Sequence, residues 1–181
     1  MLPLPHQYNN MFLNPNKILD ELDIKGNMIV ADFGCGSGGF TIPLAKKIDE
    51  GLVYGIDIME SPLSVLKSRT RLENINNIKI IKTNLESPRG STIEGGSVDM
   101  VFIPNVLFQV DNKSAIILEA IRILKNSGKL IIIDWLTKAT QGPEEGRISK
   151  EEVIRLATDQ GIKFEKEFDA GKYHYGLIFI K

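Results

Sequence analysis

Between Val30 and Phe40 the chain runs Val-Ala-Asp-Phe-Gly-Cys-Gly-Ser-Gly-Gly-Phe, an apolar stretch broken by one acid that closes in four glycines within six residues. This pattern predicts a buried strand, a loop nearly free of side chains, and a helix. Glycine tolerates positive φ and lets a ligand lie against bare backbone, so a loop of this kind at the carboxyl end of a strand is suited to cradle a nucleotide-like molecule. Three readings follow from the residues alone. The cluster is a tight turn; or Gly34, Gly36 and Gly39, which satisfy G-x-G-x-x-G, form a dinucleotide site; or the loop serves a ligand that carries a positive charge. Asp32 weighs against the dinucleotide. A carboxylate two residues before the first glycine is costly to bury without a cationic or hydrogen-bonding partner, and it repels a pyrophosphate.

Strand and helix patterns alternate through the rest of the chain. Asn14-Pro15 reads as a cap and first helical residue, with the helix running towards Asp23. Strands are expected at residues 28–33, 52–58, 79–83, 98–103 and 129–135, with helices at 40–48, 61–73 and 115–124 between them. The strands are nearly continuous in β-branched and aliphatic residues, the mark of a parallel sheet covered on both faces. Beyond Trp135 the rhythm changes. Residues 137–148 form a loop, Ser149-x-x-Glu152 is a capping box for a helix ending at Gly161, and residues 162–168 and 173–180 are strands joined by the short turn Asp169-Ala170-Gly171-Lys172. So short a connection joins antiparallel neighbours. The expected fold class is α/β: a doubly wound, seven-stranded, mainly parallel sheet with an antiparallel C-terminal hairpin and helices on both faces.

Asp32-Phe33-Gly34-Cys35-Gly36-Ser37-Gly38 resembles the first motif of the class I S-adenosylmethionine (SAM) dependent methyltransferases, an acid, any residue, then Gly-x-Gly-x-Gly. The resemblance extends through the strand ends to about Trp135, and its style is closest to the small-molecule branch that includes quinone-biosynthesis and arsenite methyltransferases. It implies SAM as cofactor, S-adenosylhomocysteine as product, and a cofactor site made of Asp32, Gly34, Cys35, Gly36, Gly38, Asp57, Ile58, Asn84, Leu85, Pro104 and Asn105. In such a site the glycine loop passes under the methionine and ribose, and Asp32 helps hold the amino-acid end. Asp57, nineteen residues after Gly38, accepts hydrogen bonds from the ribose hydroxyls, and Ile58 faces the adenine. Where the family commonly has Asp after the third strand this chain has Asn84, whose amide oxygen still accepts a bond from the adenine amino group; a turn-capping role fits it as well.

The acceptor half of the site is less defined. Asn105 and Gln109 follow the fourth strand and are candidate catalytic residues, as is His6; Gln109 stands where small-molecule members often carry histidine. Pro104-Asn105 is not the Asn/Asp-Pro-Pro-aromatic signature of amino-methylating nucleic-acid enzymes. Asp134 is a further polar group at a strand end, and His174 reads as a satisfied structural histidine. Cys35, the single cysteine, is the small residue its loop needs, and arsenite chemistry, which requires several thiols, is disfavoured. No metal site is expected. Residues 1–13 form either a lid over the acceptor or a tail.

With 181 residues, 43% hydrophobic and 25% charged, the chain suits one domain over residues 1–181 with one substantial core. A net charge of −1 supplies no general attraction to nucleic acid, and Lys67, Arg69 and Arg71 read as a solvated helix face. No apolar run reaches the roughly 18 to 20 residues of a membrane span, and no secretory leader is recognisable, so a cytoplasmic location is expected. The expected function is methyl transfer from SAM to a small molecule by in-line displacement. The alternatives are an RNA or protein methyltransferase working with a partner, and a SAM-binding module without catalysis.

Overall fold

A computed structural model describes residues 13–181 of the chain. Seven strands form one sheet: β1 (Ile29–Phe33), β2 (Leu52–Asp57), β3 (Ile78–Lys82), β4 (Val98–Pro104), β5 (Leu124–Trp135), β6 (Lys163–Phe168) and β7 (His174–Ile180). Their spatial order is β3-β2-β1-β4-β5-β7-β6. β1 to β5 pair in parallel, whereas β7 runs antiparallel to both β5 and β6. The expected fold class is therefore the observed one. The helices are α1 (Pro15–Asp20), α2 (Thr41–Lys47), α3 (Glu60–Leu72), α4 (Lys113–Ile123) and α5 (Lys150–Thr158), with a 3-10 turn at Leu107–Gln109.

Alternation along the strands divides the core between the two faces. On one, Leu130 and Ile132 of β5 and Leu177 and Phe179 of β7 pack with Ile116, Ile117 and Ala120 of α4 and Val153 and Ala157 of α5. On the other, Val30, Val53, Met100, Ile131 and Ile133 pack with Ile18 and Leu19 of α1 and Leu44 and Ala45 of α2, while Leu63 and Leu66 of α3 meet Cys35 and Ile42. The chain steps from β1 outward to β3, then crosses back to place β4 on β1's other side. That reversal opens a crevice at the carboxyl ends of β1 and β4, the position at which open α/β sheets bind ligands.

Most boundaries lie within one or two residues of the sequence expectation; larger differences fall at α1, at β5 and at the end of α5, which stops at Thr158 rather than Gly161. α1 ends at Asp20 rather than Asp23, after a start capped by the Asn14 side chain, which accepts the Lys17 N–H at 3.2 Å. β5 begins at Leu124, five residues early. Val98 pairs with Leu124 but Met100 pairs with Lys129, so the pairing skips a kinked stretch that includes Ser127 at φ +64°. The Ser149 cap is as expected, accepting the Glu152 N–H at 3.2 Å.

The connection from β3 to β4, residues 83–97, contains no helix or strand and is fastened instead by a buried ion pair. Glu119 of α4 accepts the Ser91 N–H at 2.8 Å and binds Arg122, whose guanidinium also donates to the Ile93 carbonyl at 2.7 Å. Removing the carboxylate strands both an arginine and a buried amide. Glu119→Ala should therefore cost about 3 kcal/mol of stability, and Glu119→Gln less, as read from urea unfolding at pH 7.

Candidate active site

The carboxyl ends of β1, β2, β3 and β4 surround a cavity of about 290 Å3 lined by Gly34, Asp57, Ile58, Met59, Thr83, Asn84, Leu85, Glu86, Val106, Gln109, Val110 and Ile116. Of the residues expected in the site, the cavity brings together Gly34, Asp57, Ile58, Asn84, Leu85 and Gln109. Asp32, Cys35, Gly36, Gly38, Pro104 and Asn105 do not line it. They form the backbone and buried polar layer behind and beside it, and His6 lies outside the described residues.

The glycine loop is held by backbone bonds. The Gly34 and Cys35 amides both donate to the Ile56 carbonyl, at 2.8 and 3.0 Å, and the Gly36 amide donates to Asp57 Oδ2 at 2.9 Å. Asp57 Oδ1 accepts the Met59 N–H at 2.9 Å, so one carboxylate ties the loop after β1 to the segment after β2. Gly34 has φ +70°, and a Cβ there would stand 2.4 Å from Val106 Cγ2; any side chain would close the cavity at its base. Arg69 of α3, expected on a solvated face, is half-buried and donates to the Ser37 carbonyl at 2.9 Å while reaching Glu73 at 3.6 Å. Its neighbours Lys67 and Arg71 are exposed, as expected.

Asp32 is fully buried. Its Oδ2 accepts the Thr41 hydroxyl at 2.6 Å, and Oδ1 has no hydrogen-bond partner among the described residues. Burial raises its pKa to about 7, against the Thr41 bond, with the nearby Asp57 charge adding to the rise. Cys35 is buried too, and burial and the same two carboxylates push its thiol well above the ordinary range. It stays protonated, as a small packing residue does and a nucleophile does not.

Asn84 lines the cavity, and its Oδ1 accepts the Glu86 N–H at 2.9 Å, the turn-capping bond that was one of its two sequence readings. Asn105 is buried at φ +55°, its N–H bonded to the Ile133 carbonyl at 2.8 Å and its own carbonyl accepting from Gln109 Nε2 at 2.9 Å. The two acceptor-side candidates are thus joined. Val106, Val110 and Ile116 form an apolar wall that sequence reading did not find, because their convergence depends on the 3-10 turn that follows β4.

Next to this turn, β5 ends in two side chains on opposite faces. The Asp134 carboxylate, fully buried, accepts the Phe108 N–H at 3.2 Å and the Trp135 N–H at 2.7 Å. Burial raises its pKa to about 7. Trp135 packs with Phe108, Ala139 and Tyr173, and meets the His174 ring at a tilt of 41° with centroids 4.1 Å apart. His174 is buried, as expected of a structural histidine, but neither ring nitrogen has a hydrogen-bond partner among the described residues. Burial and then the Arg147 charge lower its pKa to about 4. The loop at 137–148 closes over these rings. Arg147 donates to the carbonyls of Ala139 and Gln141 at 2.7 and 2.8 Å, and a Cβ on Gly142 would meet the Trp135 ring at 2.3 Å.

With fold and site described, the comparisons with known proteins are informative. A family model described as a methyltransferase domain matches residues 24–169. The chain belongs to this methyltransferase family, and its sheet is that of the class I SAM-dependent members. It is similar to a demethylmenaquinone methyltransferase of Bacillus mycoides, 29% identical over 129 residues, covering 70% of this chain and 53% of the relative. The chain spans about half the length of such relatives. Among solved structures, a putative type 11 methyltransferase from Sulfolobus solfataricus is 28% identical with a TM-score of 0.73, covering 93% of this chain and 92% of that one. A SAM-dependent methyltransferase from Aquifex aeolicus, 24% identical, shares the fold at a TM-score of 0.87 over 99% of both chains. No helix of the described residues is long and apolar enough to cross a membrane.

The two buried carboxyls generate a pH prediction. Both hold their proton more tightly folded than unfolded, so the stability they contribute is complete below the ordinary value of 3.8 and is lost as pH rises through about 7. Between pH 5.5 and 8.5 each should cost the protein about 2 kcal/mol. Asp32→Asn should remove its share, so that urea unfolding shows a smaller loss between these pH values than in the wild type.

Proposed function

We propose that this protein transfers the methyl group of SAM to a small-molecule acceptor, and that the cavity at the carboxyl ends of β1 to β4 holds the cofactor. The observation that carries the reading is Asp32, a buried carboxylate with one oxygen engaged by Thr41 and the other unpartnered among the described residues, at the start of a loop too close-packed for side chains. A ligand with an ammonium group beside an adenosine fits this combination; a pyrophosphate does not. Fit is also supported by Asp57, whose two oxygens each accept one backbone N–H and retain lone pairs for hydroxyls. Ile58 is 58% exposed, an apolar side chain available to a flat base.

In this reading Asp32 neutralises the amino-acid end, Gly34, Cys35, Gly36 and Gly38 give close backbone approach, Asp57 holds the ribose, and Ile58, Asn84 and Leu85 bound the adenine. Pro104 and Asn105 set the edge of the site nearest the acceptor. When bound, SAM supplies an electrophilic sulfonium methyl, so the chain's task is alignment and exclusion of water. Asn105 and Gln109, joined by their hydrogen bond, are placed to orient the acceptor, and the loop at 137–148 covers the aromatic floor of Phe108 and Trp135 beside them.

We take residues 1–181 as one domain working in the cytoplasm, with the stretch before α1 covering the acceptor. Apart from Leu13 and Asn14 that stretch lies outside the described residues. Similarity to the demethylmenaquinone methyltransferase of Bacillus mycoides supports a small-molecule acceptor. Substrate-dependent formation of S-adenosylhomocysteine separates catalysis from a binding module, and its indifference to ribonuclease separates small molecules from RNA.

Three outcomes test the assignment. Asp57→Ala should weaken SAM binding about ten- to a hundredfold while leaving the fold intact, measured by calorimetry; equal affinity in a folded variant excludes the ribose role. At pH 7 Asp32 is partly protonated, and an ammonium beside it favours the ionised form, so SAM binding should release a fraction of a proton. Binding heats in buffers of different ionisation enthalpy should show this release in the wild type and a smaller release in Asp32→Asn. Deleting residues 1–10 should abolish turnover while lowering SAM affinity far less; full activity in the truncated chain would show that the segment is a tail.

A further inference from the structure

The cofactor cavity and the end of β5 are separate parts of the sheet, yet one side chain connects them. Asp134 is the penultimate residue of β5, and its carboxylate accepts the Phe108 N–H at 3.2 Å, across to the 3-10 turn, as well as the N–H of its own neighbour Trp135 at 2.7 Å. The turn is otherwise held by the burial of Leu107 and Phe108 and by the Gln109 side chain, which donates to the Asn105 carbonyl at 2.9 Å. Its internal backbone bond is Gln109 N–H to the Val106 carbonyl at 3.1 Å, and no side chain caps its start. Both flanks of the turn are functional surface: Val106, Gln109 and Val110 line the cofactor cavity, whereas Phe108 packs on Trp135 on the acceptor side.

We propose that Asp134 is a positioning residue whose ionised carboxylate fixes the Leu107–Gln109 turn as the shared wall of the cofactor cavity and the acceptor site. The inference rests on the cavity being the SAM site. An ionised carboxylate offers strong acceptors on both oxygens; protonation removes the charge and turns one oxygen into a hydroxyl, a weaker acceptor that also carries a donor, so one of the two N–H bonds is weakened. Weakening the Phe108 bond loosens the turn from β5, and Val106, Gln109 and Val110 lose their fixed place. An amide has the same limitation at every pH, because its NH2 faces an N–H.

The groups around Asp134 permit such a change near neutral pH. Burial raises its pKa to about 7 against the pull of the Leu107, Phe108 and Trp135 amides and the Lys113 charge. Lys113, at the start of α4, has its ammonium bonded to the Val110 carbonyl at 2.9 Å. Tyr175 of β7 pairs in register with Asp134; its phenol is raised beyond titration and its hydroxyl donates to the Ile148 carbonyl at 3.2 Å. Glu151 and Glu152 of α5 act on Tyr175 and not on Asp134. His174 lies on the other face of the sheet, its ring tilted against Trp135. The turn itself carries no ionisable side chain.

The probe is 5′-methylthioadenosine, which has the adenosine and the thioether but no amino-acid end, so Asp32 does not enter its binding. Its affinity should fall about tenfold from pH 8.5 to pH 5.5 in the wild type, with a midpoint near 7. Asp134→Asn should bind it at the weaker level throughout, so that the two proteins converge at low pH and separate at high pH. In the free wild type, the backbone amide resonances of Phe108 and Gln109 should titrate with that same midpoint, a readout that needs no variant to fold. Binding of the probe that is independent of pH and equal in Asp134→Asn would overturn the proposal, as would Phe108 and Gln109 resonances that do not move. No binding by the wild type at any pH would instead sink the SAM reading, and the inference with it.

Discussion

Everything at the carboxyl end of this sheet depends on one carboxylate accepting two amides. Asp57 takes the Gly36 N–H with one oxygen and the Met59 N–H with the other, and so fixes the glycine loop against the turn that leaves β2. Beside that brace the loop is held by its two bonds to the Ile56 carbonyl, the Gly38 N–H on the Cys35 carbonyl, the packing of Cys35 and the Arg69 contact. The cavity floor, its base at Gly34 and the apolar wall at Val106 are all referenced to the loop's position. A flexible sequence is thus rigid in place, since its order comes from neighbouring strands.

The same region shows a conflict between stability and geometry. Asp32 and Asp134 are both fully buried, and burial raises the pKa of each to about 7. Apolar residues at these positions would cost less to bury. A carboxylate that stays there despite burial is held where its charge organises backbone: at Asp32 beside the Thr41 hydroxyl that opens α2, at Asp134 across to the turn after β4.

The legible part of this protein was its local pattern. Aliphatic runs marked the strands, glycines and an acid marked the loop, and Ser149-x-x-Glu152 marked α5, because each signal lies within a few adjacent residues. The less legible part was produced by convergence. Arg69 was readable as one more cation on a helix face, and only the approach of α3 to the loop gives it the Ser37 carbonyl. Val106, Val110 and Ile116 are ordinary apolar residues in sequence; a 3-10 turn with no caps gathers them into a wall. His174 was expected to have its nitrogens satisfied, and pairing with β5 instead sets its ring against Trp135, with neither nitrogen bonded among the described residues.

Trp135 is the only tryptophan in the chain, and it stands fully buried at the end of β5 between an imidazole and the loop that Arg147 gathers. The indole is therefore a single optical label built into the acceptor side. With the His174 pKa near 4, the neighbouring ring is uncharged throughout the physiological range and cannot quench as an imidazolium does. A change in the emission colour or intensity of this protein at neutral pH accordingly reports rearrangement around one strand end, with no second chromophore of its kind to confuse the signal.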